Sequence, residues 1–360
     1  MRRITAETAS AIRYLVITIM MVFTAPGLFE GRKVPTDTRT NTFEAREILC
    51  VISLGDDMRG AHGLESGFCY ELLERFALDN SCTITTIVES DCGEMWIDSL
   101  RNGTIDMMVV HPEIHDCHDD INFSHRLTSC SSCATAGKNI NEIRQINNWL
   151  SHIMASGDYS KLRTKYFRSF DPIKRAESGE ISGIISPYDD LIKKHASELG
   201  WDWRMLAAVV YQESKFSISS RSHRGAQGLM QVMPQTAKYY DISNLTDPDR
   251  NLSAGTNHLK RLQKMLGKYG MEQEELIKFT LAAYNAGEGR IIDLRNLAAA
   301  MQIDTCRWEA VAGIIPLMRE DSILEEASVR LGKFNGEETI EYVGNVMSLY
   351  EAICSICPQG

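Results

Sequence analysis

A single glutamate, Glu213, stands at the end of an apolar run that could change the chemistry of its side chain. Residues 203–211 are apolar nearly all round, which predicts a buried helix. Because burial disfavours a charged carboxylate, we expect the pKa of Glu213 to lie above its usual value of about 4.3. A carboxyl that keeps its proton near neutral pH can donate it to a departing glycosidic oxygen. The alternative is that Glu213 simply reaches solvent at a helix end.

Three later segments carry residues that could form a site around this carboxyl. Residues 225–231 (GAQGLMQ) place Gly225 and Gly228 before an apolar pair and a Gln, and such glycines permit close approach of the backbone to a ligand. Residues 283–287 (AYNAG) and 338–343 (ETIEYV) follow in that order. Each segment alone has an ordinary structural explanation, respectively a loop, a helix C-terminus and an amphipathic helix face.

Taken together, the Glu213-Ser214 pair and these three segments resemble the four motifs of the lytic transglycosylase family. The order and spacing of all four match, and the resemblance covers residues 186–350. It implies an all-α, lysozyme-like catalytic domain over residues 186–353 that cleaves the glycan strands of peptidoglycan. It also implies no metal and no cofactor.

The resemblance assigns roles to the residues closest to the predicted acid. Glu213 would be the single acid and base, and Ser214 would help to orient it by hydrogen bonding. Tyr342 would reach back towards Glu213 from the last helix.

The resemblance also assigns residues to the sugar-binding cleft. Gly228, Met230 and Gln231 would line the cleft with backbone and side chains. Tyr284 and Asn285 would contact the saccharide or hold the glutamate.

The sequence after the predicted acid contains few candidates for a second catalytic carboxyl. Ordinary glycosidases use two carboxyl groups, yet residues 214–240 contain no Asp or Glu. A partner could still come from Asp241 or Glu288. The gap favours a mechanism in which one glutamate first protonates the bond between N-acetylmuramic acid and N-acetylglucosamine. It would then accept the proton of the muramoyl 6-hydroxyl, which attacks C1 and leaves a 1,6-anhydro end.

Two other functions stay open at this point. A hydrolase related to goose-type lysozyme would use water in place of the internal hydroxyl. A catalytically silent glycan-binding or sensor protein would use its front domain and cleave nothing.

The elements that must position these residues are predicted to be helices. Ser186-Pro187 is a typical helix start, with Pro at the first helical position. Further helical periodicity covers the segments 252–268, 273–285, 289–300 and 338–353. We predict no strand after residue 186.

The front of the chain has a different pattern. Residues 45–110 alternate strand-like and helix-like segments in β-α-β-α-β order, which predicts a small parallel α/β sheet. Segments 67–73 and 100–108 resemble the first lobe of an extracellular solute-binding protein. That resemblance implies a truncated, one-lobe domain at 45–170, with muropeptides as candidate ligands. Residues 171–185 mix Pro, Gly, Ser and charge and are predicted to be a linker.

The first thirty residues predict export of the protein. Arg2, Arg3 and Arg13 precede an apolar run at 14–23, a pattern typical of a signal peptide or a short membrane anchor. We therefore expect residues 1–30 to direct the chain to the periplasm or cell envelope. The family resemblance adds association with the outer membrane.

The net charge, the cysteines and one His-rich segment bear on which partners and ligands the protein could bind. The net charge of −10 argues against a general nucleic-acid binder, because phosphates would not be neutralised. Ten cysteines could form disulfides in an exported chain, although the sequence does not say which would pair. The segment 111–119 is rich in metal-ligand side chains but lacks a ligand spacing, so a surface loop is the preferred interpretation.

Overall fold

The computed structural model of the chain describes residues 41–54, 64–89, 94–320, 323 and 329–359. The predicted leader at residues 1–30 lies outside these ranges. Two compact units make up the described chain. The first contains residues 41–169, 217–228 and 243–247, and the second contains residues 170–216, 229–242 and those beyond 247. Within the described ranges, none of the helices combines the length and the hydrophobicity needed to cross a membrane.

The first unit is a sheet covered by helices. Its strands are β1 (Glu47–Ser53), β2 (Thr83–Glu89), β3 (Met107–Val110), β4 (Ile121–Arg126) and β5 (Ser132–Ala136). Its helices are α1 (Glu65–Asn80), α2 (Glu94–Asn102), α3 (Ile140–Met154) and α4 (Gly157–Tyr166).

The sheet has the strand order β2-β1-β3-β5-β4. β1 pairs in parallel with β2 and β3, which confirms the predicted β-α-β-α-β order for residues 47–110. β5 pairs antiparallel with β3 and with β4, so two strands that the sequence did not predict make the whole sheet mixed. The sequence signal was weak because β4 and β5 are short and carry many polar residues. Whether this lobe is related to solute-binding proteins stays a prediction.

Two consecutive helices follow the sheet. α3 ends at Met154, and α4 begins at Gly157 after Ser156, whose hydroxyl accepts a hydrogen bond from the N–H of Tyr159. Ser is a favoured N-cap residue because its side chain satisfies a free amide at the start of a helix. The cap therefore explains why a new helix begins directly after α3.

The second unit is helical. Its helices are α5 (Pro172–Glu177), α6 (Asp189–Leu199), α7 (Trp203–Ser214), α8 (Pro234–Tyr239), α9 (Pro248–Gly267), α10 (Gln273–Ala286), α11 (Glu288–Ala300), α12 (Trp308–Ala312) and α13 (Glu337–Ile356). No strand occurs among the described residues of this unit, as the helical periodicity predicted.

The buried helix α7 is the centre of the second unit. Asp202 caps its start by accepting a hydrogen bond from the N–H of Arg204 at 2.9 Å. Eight of its twelve residues are buried, as the all-round apolar pattern predicted. The long helix α13 packs along it. This pairing brings residues near the end of the chain against the helix that carries Glu213.

The segment predicted to be a linker is partly folded. Residues 172–177 form α5, which packs against α13. Arg175 is buried and forms an ion pair with Glu180 at 2.8 Å, while its guanidinium also donates to the carbonyl of Ile184. A buried arginine is tolerated only when its donors find partners in this way.

Eight cysteines are free thiols, namely Cys50, Cys69, Cys82, Cys130, Cys133, Cys306, Cys354 and Cys357. Cys354 and Cys357 lie at the end of α13. Among the described residues, no group of three or more His, Cys, Asp or Glu side chains could hold a metal ion. In the His-rich segment, His115 stacks on Phe123 with ring centroids 4.1 Å apart. That contact gives His115 a packing role.

Candidate active site

Glu213 lies in the last turn of α7, where its side chain is half-buried. The hydroxyl of Tyr342, from the first half of α13, donates a hydrogen bond of 2.6 Å to Glu213 Oε1. Because α13 packs along α7, residues far apart in the sequence meet at this point. The structure therefore places Tyr342 against the predicted acid.

The environment of Glu213 favours its protonated form. Burial raises the pKa of Glu213 to about 7, and the hydrogen bond from Tyr342 opposes that rise. Burial, followed by the charge of Glu213, raises the pKa of Tyr342 well above its usual value. Tyr342 thus remains a hydrogen-bond donor over the whole range in which Glu213 titrates.

The backbone turns sharply after the glutamate. Lys215 and Phe216 have φ values of +53° and +65°, a left-handed conformation that is uncommon for residues with bulky side chains. Phe216 is completely buried, and its ring packs 5.4 Å from that of Tyr211. The burial of Phe216 offsets the cost of the strained backbone. The turn ends α7 one residue after Glu213, at Ser214.

Ser214 connects α7 to residues 225–231, which we call the glycine-rich segment. Its hydroxyl donates to the carbonyls of Leu229 at 2.8 Å and Val210 at 3.1 Å. These bonds differ from the expected hydrogen bond to Glu213. Ser214 therefore fixes the helix end that carries the glutamate rather than the carboxylate itself.

Met230 is held from two sides. Its N–H donates to Asn251 Oδ1 at 2.8 Å, and its carbonyl accepts a bond of 2.8 Å from the hydroxyl of Tyr284. A Cβ at Gly255 would lie 2.9 Å from the Cβ of Met230, so α9 can approach only because this position is glycine. Next to it, Gln231 has a φ of +46°.

The remaining predicted residues have the following places. Gly228 has a φ of +72°, and its N–H donates to the carbonyl of Ser220 at 2.9 Å. Asn285 is exposed, and its Oδ1 accepts a bond of 2.8 Å from the hydroxyl of Thr339. That bond connects α10 to the start of α13, close to Tyr342 in the sequence.

Tyr284 belongs to the surroundings of the glutamate. Burial, followed by the charge of Glu213, raises the pKa of Tyr284 well above its usual value. Its hydroxyl is engaged with Met230, so it holds the glycine-rich segment. Glu213, Tyr342, Tyr284 and Met230 are thus brought together.

Glu288 and Asp241 are the two carboxyl groups that the sequence offered as catalytic partners of Glu213. Glu288 forms an ion pair of 2.7 Å with Arg261. Burial opposes ionisation of Glu288, but the Arg261 hydrogen bond and charge outweigh it and lower the pKa of Glu288. The ion pair stabilises the Glu288 carboxylate and makes it a weaker base. Asp241 lies in the turn after α8 with a φ of +58°.

Sequence reasoning missed several residues near the site. Asn251 is 1% exposed, and its side chain accepts a hydrogen bond from the Met230 N–H. The one sequence feature that could have indicated this role is a single amide residue on the apolar face of α9. Tyr240, His258 and Arg261 also escaped notice, because they belong to none of the four motifs. His258 packs against Tyr284, with ring centroids 5.5 Å apart.

Comparison with known families defines the class of the second unit. Residues 190–305 match the family model described as the transglycosylase SLT domain. This match includes Glu213 and the segments 225–231 and 283–287, and it confirms the resemblance to the lytic transglycosylase family over residues 190–305.

Individual relatives share one name. The chain is 29% identical over 213 residues to a membrane-bound lytic murein transglycosylase F from Desulfosudis oleivorans, covering 58% of this chain and 46% of the relative. It is 32% identical over 202 residues to the protein of that name from Shewanella denitrificans, covering 55% and 40% respectively. The chain thus spans less than half the length of these relatives.

One solved structure adds a more distant similarity. It is the 70 kDa soluble lytic transglycosylase from Escherichia coli, 25% identical, with a TM-score of 0.33. The match covers 46% of this chain and 24% of that protein.

Proposed function

We propose that this protein is a peptidoglycan lytic transglycosylase in which Glu213 is the only acid and base. It would cleave the β-1,4 bond between N-acetylmuramic acid and N-acetylglucosamine and leave 1,6-anhydro ends. The observation that carries the proposal is the half-buried Glu213, whose pKa is about 7 and whose carboxylate accepts the 2.6 Å bond from Tyr342. The SLT domain supports the choice of substrate class.

A pKa near 7 suits both halves of this reaction. The protonated Glu213 donates its proton to the glycosidic oxygen, which becomes the hydroxyl of the departing sugar. The ionised Glu213 then accepts the proton of the muramoyl 6-hydroxyl, and that oxygen forms the new bond to C1. The Tyr342 bond stabilises the ionised form between the two transfers. The carboxyl ends in its starting state, and no water enters the product.

The lyase outcome rests on the state of the Glu288 carboxyl, which was considered as a second catalytic group. Glu288, one candidate, is ionised and paired with Arg261, and the causes of the Glu213 pKa shift are burial and Tyr342. A hydrolase of the goose-type lysozyme kind is the alternative, with water attacking C1. Mass spectrometry of digested glycan strands separates the two, because anhydro ends are lighter than hydrated ends by one water. Hydrated ends as the main product would overturn the lyase proposal.

A silent glycan-binding or sensor protein is the remaining alternative. Substitution Glu213→Gln keeps the shape of the side chain and removes its proton chemistry. We expect Glu213→Gln to abolish strand cleavage, while Glu351→Gln, at an exposed position of α13, leaves it unchanged. Equal cleavage by the parent and Glu213→Gln would refute the assigned role. No cleavage by the parent would favour the sensor alternative.

The location and the front unit complete the proposal. The basic and apolar residues 2–23 and the membrane-bound relatives support a place in the periplasm or at a membrane of the cell envelope, and the family resemblance implies the outer membrane. We propose that the five-stranded lobe is a shortened solute-binding domain with muropeptides as its ligand class. Digestion of peptidoglycan with and without residues 45–170 tests its contribution.

A further inference from the structure

A row of aromatic rings leads from the candidate active site to the surface of the second unit. The ring centroids of Tyr284 and His258 are 5.5 Å apart, those of His258 and Tyr240 are 6.4 Å apart, and those of Tyr240 and Tyr239 are 4.9 Å apart. Neighbouring rings are tilted or edge-on to each other. We call these four residues the ring row.

The outer end of the ring row is open to solvent. Tyr239 is 72% exposed, while Tyr240 and His258 are half-buried. A tyrosine with this exposure adds little to the core. Tyr239 is the last residue of α8, and Tyr240 follows it directly. An exposed tyrosine next to further aromatic rings is a common feature of ligand-binding surfaces.

Polar groups flank the ring row. Arg261 and Glu288 form an ion pair with both side chains 36% exposed, and the Tyr240 hydroxyl donates to the carbonyl of Asn257 at 3.2 Å. Burial, followed by the charge of Arg261, lowers the pKa of His258, so its ring is neutral near pH 7. Aromatic side chains with a few fixed hydrogen-bond donors and acceptors beside them are the usual lining of a ligand-binding site.

We propose that the ring row binds the saccharide units of the glycan beyond the cleaved bond and makes Tyr239 and Tyr240 determinants of chain-length preference. The proposal rests on the proposed function, because it assigns the substrate class to an extension of the same site. The inner end of the row is Tyr284, whose hydroxyl donates to the Met230 carbonyl and whose pKa is raised by burial and by the charge of Glu213. Sugar rings present apolar C–H faces, which pack on aromatic rings, and hydroxyl and acetamido groups, which suit the Arg261–Glu288 pair.

The test measures binding apart from cleavage. Calorimetry in the Glu213→Gln background uses N-acetylglucosamine oligomers of three and six units as probes. Loss of one aromatic contact is worth roughly 0.5–1.5 kcal/mol, or about two- to tenfold in affinity. We therefore expect Tyr239→Ala to weaken hexamer binding by that factor and to leave trimer binding unchanged.

Matched variants separate the ring from other effects. Tyr239→Phe keeps the ring and is expected to bind the hexamer like the parent, while Met301→Ala changes an exposed apolar residue after α11 and is expected to have no effect. Equal hexamer affinity in Tyr239→Ala and its background would overturn the proposal, as would failure of the background protein to bind the hexamer. Failure of the proposed function is visible separately, as absence of strand cleavage by the parent with hexamer binding intact.

Discussion

The hydroxyl of Tyr342 lies 2.6 Å from Glu213 Oε1, although 129 positions separate the two residues in the chain. One residue comes from the end of the buried helix α7, and the other from the helix α13 that packs along it. This contact and the burial of Glu213 act in opposite directions on its protonation. Burial favours the acid form and the Tyr342 bond favours the base form.

Removing that hydroxyl is expected to change the pH dependence of cleavage. The Tyr342 bond lowers the Glu213 pKa, so Tyr342→Phe raises it further. A hydrogen bond to a charged group contributes roughly 1.5–3 kcal/mol, which corresponds to a shift of about one to two pKa units. The high-pH limb of the rate profile should move upward, and the maximum rate should fall roughly tenfold as positioning is lost.

The control for this change lies on the same helix. Tyr350 donates to Asp202 Oδ2 at 3.1 Å, so Tyr350→Phe removes a similar tyrosine–carboxylate bond elsewhere. Its rate profile should match that of the parent. A Tyr342→Phe profile with an unmoved limb would show that the bond does not set the Glu213 pKa.

Glu213 is also expected to lower the stability of the fold at high pH. Its pKa of about 7 in the folded state exceeds the ordinary value of 4.5, so the folded state binds more protons between these values. Stability therefore falls as pH rises through this window. Replacement by Gln removes the cost, and Glu213→Gln should be more stable than the parent at pH 8 by on the order of 2 kcal/mol.

Thermal unfolding at two pH values checks this prediction. The difference between Glu213→Gln and the parent should be present above pH 7 and absent near pH 4. Glu351→Gln, which changes an exposed carboxylate, should show no such dependence. A constant difference at both pH values would contradict a raised pKa.

Gly255 is expected to be intolerant of any side chain. A Cβ there would lie 2.9 Å from the Met230 Cβ, within the segment held by Tyr284. Overpacking of this kind costs roughly 1–3 kcal/mol, and Gly255→Ala should also slow cleavage by displacing Met230. Gly267→Ala, in the same helix, meets only Leu276 Cδ2 at 3.9 Å and should be neutral or mildly stabilising. Thermal unfolding and strand digestion of both variants test the difference, and equal behaviour would refute it.

Asn251 is expected to support the site through the backbone of Met230. Asn251→Leu leaves the buried Met230 N–H without its acceptor, at a cost of roughly 1–3 kcal/mol. Asn257→Ala, at an exposed position of α9, should cost little. Denaturant titration measures the free energy of unfolding of both variants. A similar loss of stability in Asn251→Leu and Asn257→Ala would contradict the prediction.

The sequence predicted most of what depends on local pattern. The apolar run at 203–211 and the periodicity of later segments predicted α7, α9, α10, α11 and α13, because amphipathic and buried helices leave such patterns. The sheet was predicted only up to β3, since β4 and β5 lack a strong apolar run. The break between α3 and α4 depends on one capping serine, which is easily overlooked.

The site was predictable where a motif carried it and not where packing did. The Glu213–Tyr342 pairing followed from the family resemblance. The bonds of Ser214 to the Leu229 and Val210 carbonyls could not be predicted, because they depend on how α7 meets the glycine-rich segment. The ring row likewise arises from the packing of α8, α9 and α10.

The central claim is that Glu213 serves as sole acid and base in a reaction that consumes no water. Digestion of glycan strands in water enriched in heavy oxygen, followed by mass spectrometry of the new ends, tests this directly. The account predicts anhydro ends without heavy oxygen, formed by the parent and by Glu351→Gln but not by Glu213→Gln. Reducing ends that carry heavy oxygen would contradict it and identify a hydrolase.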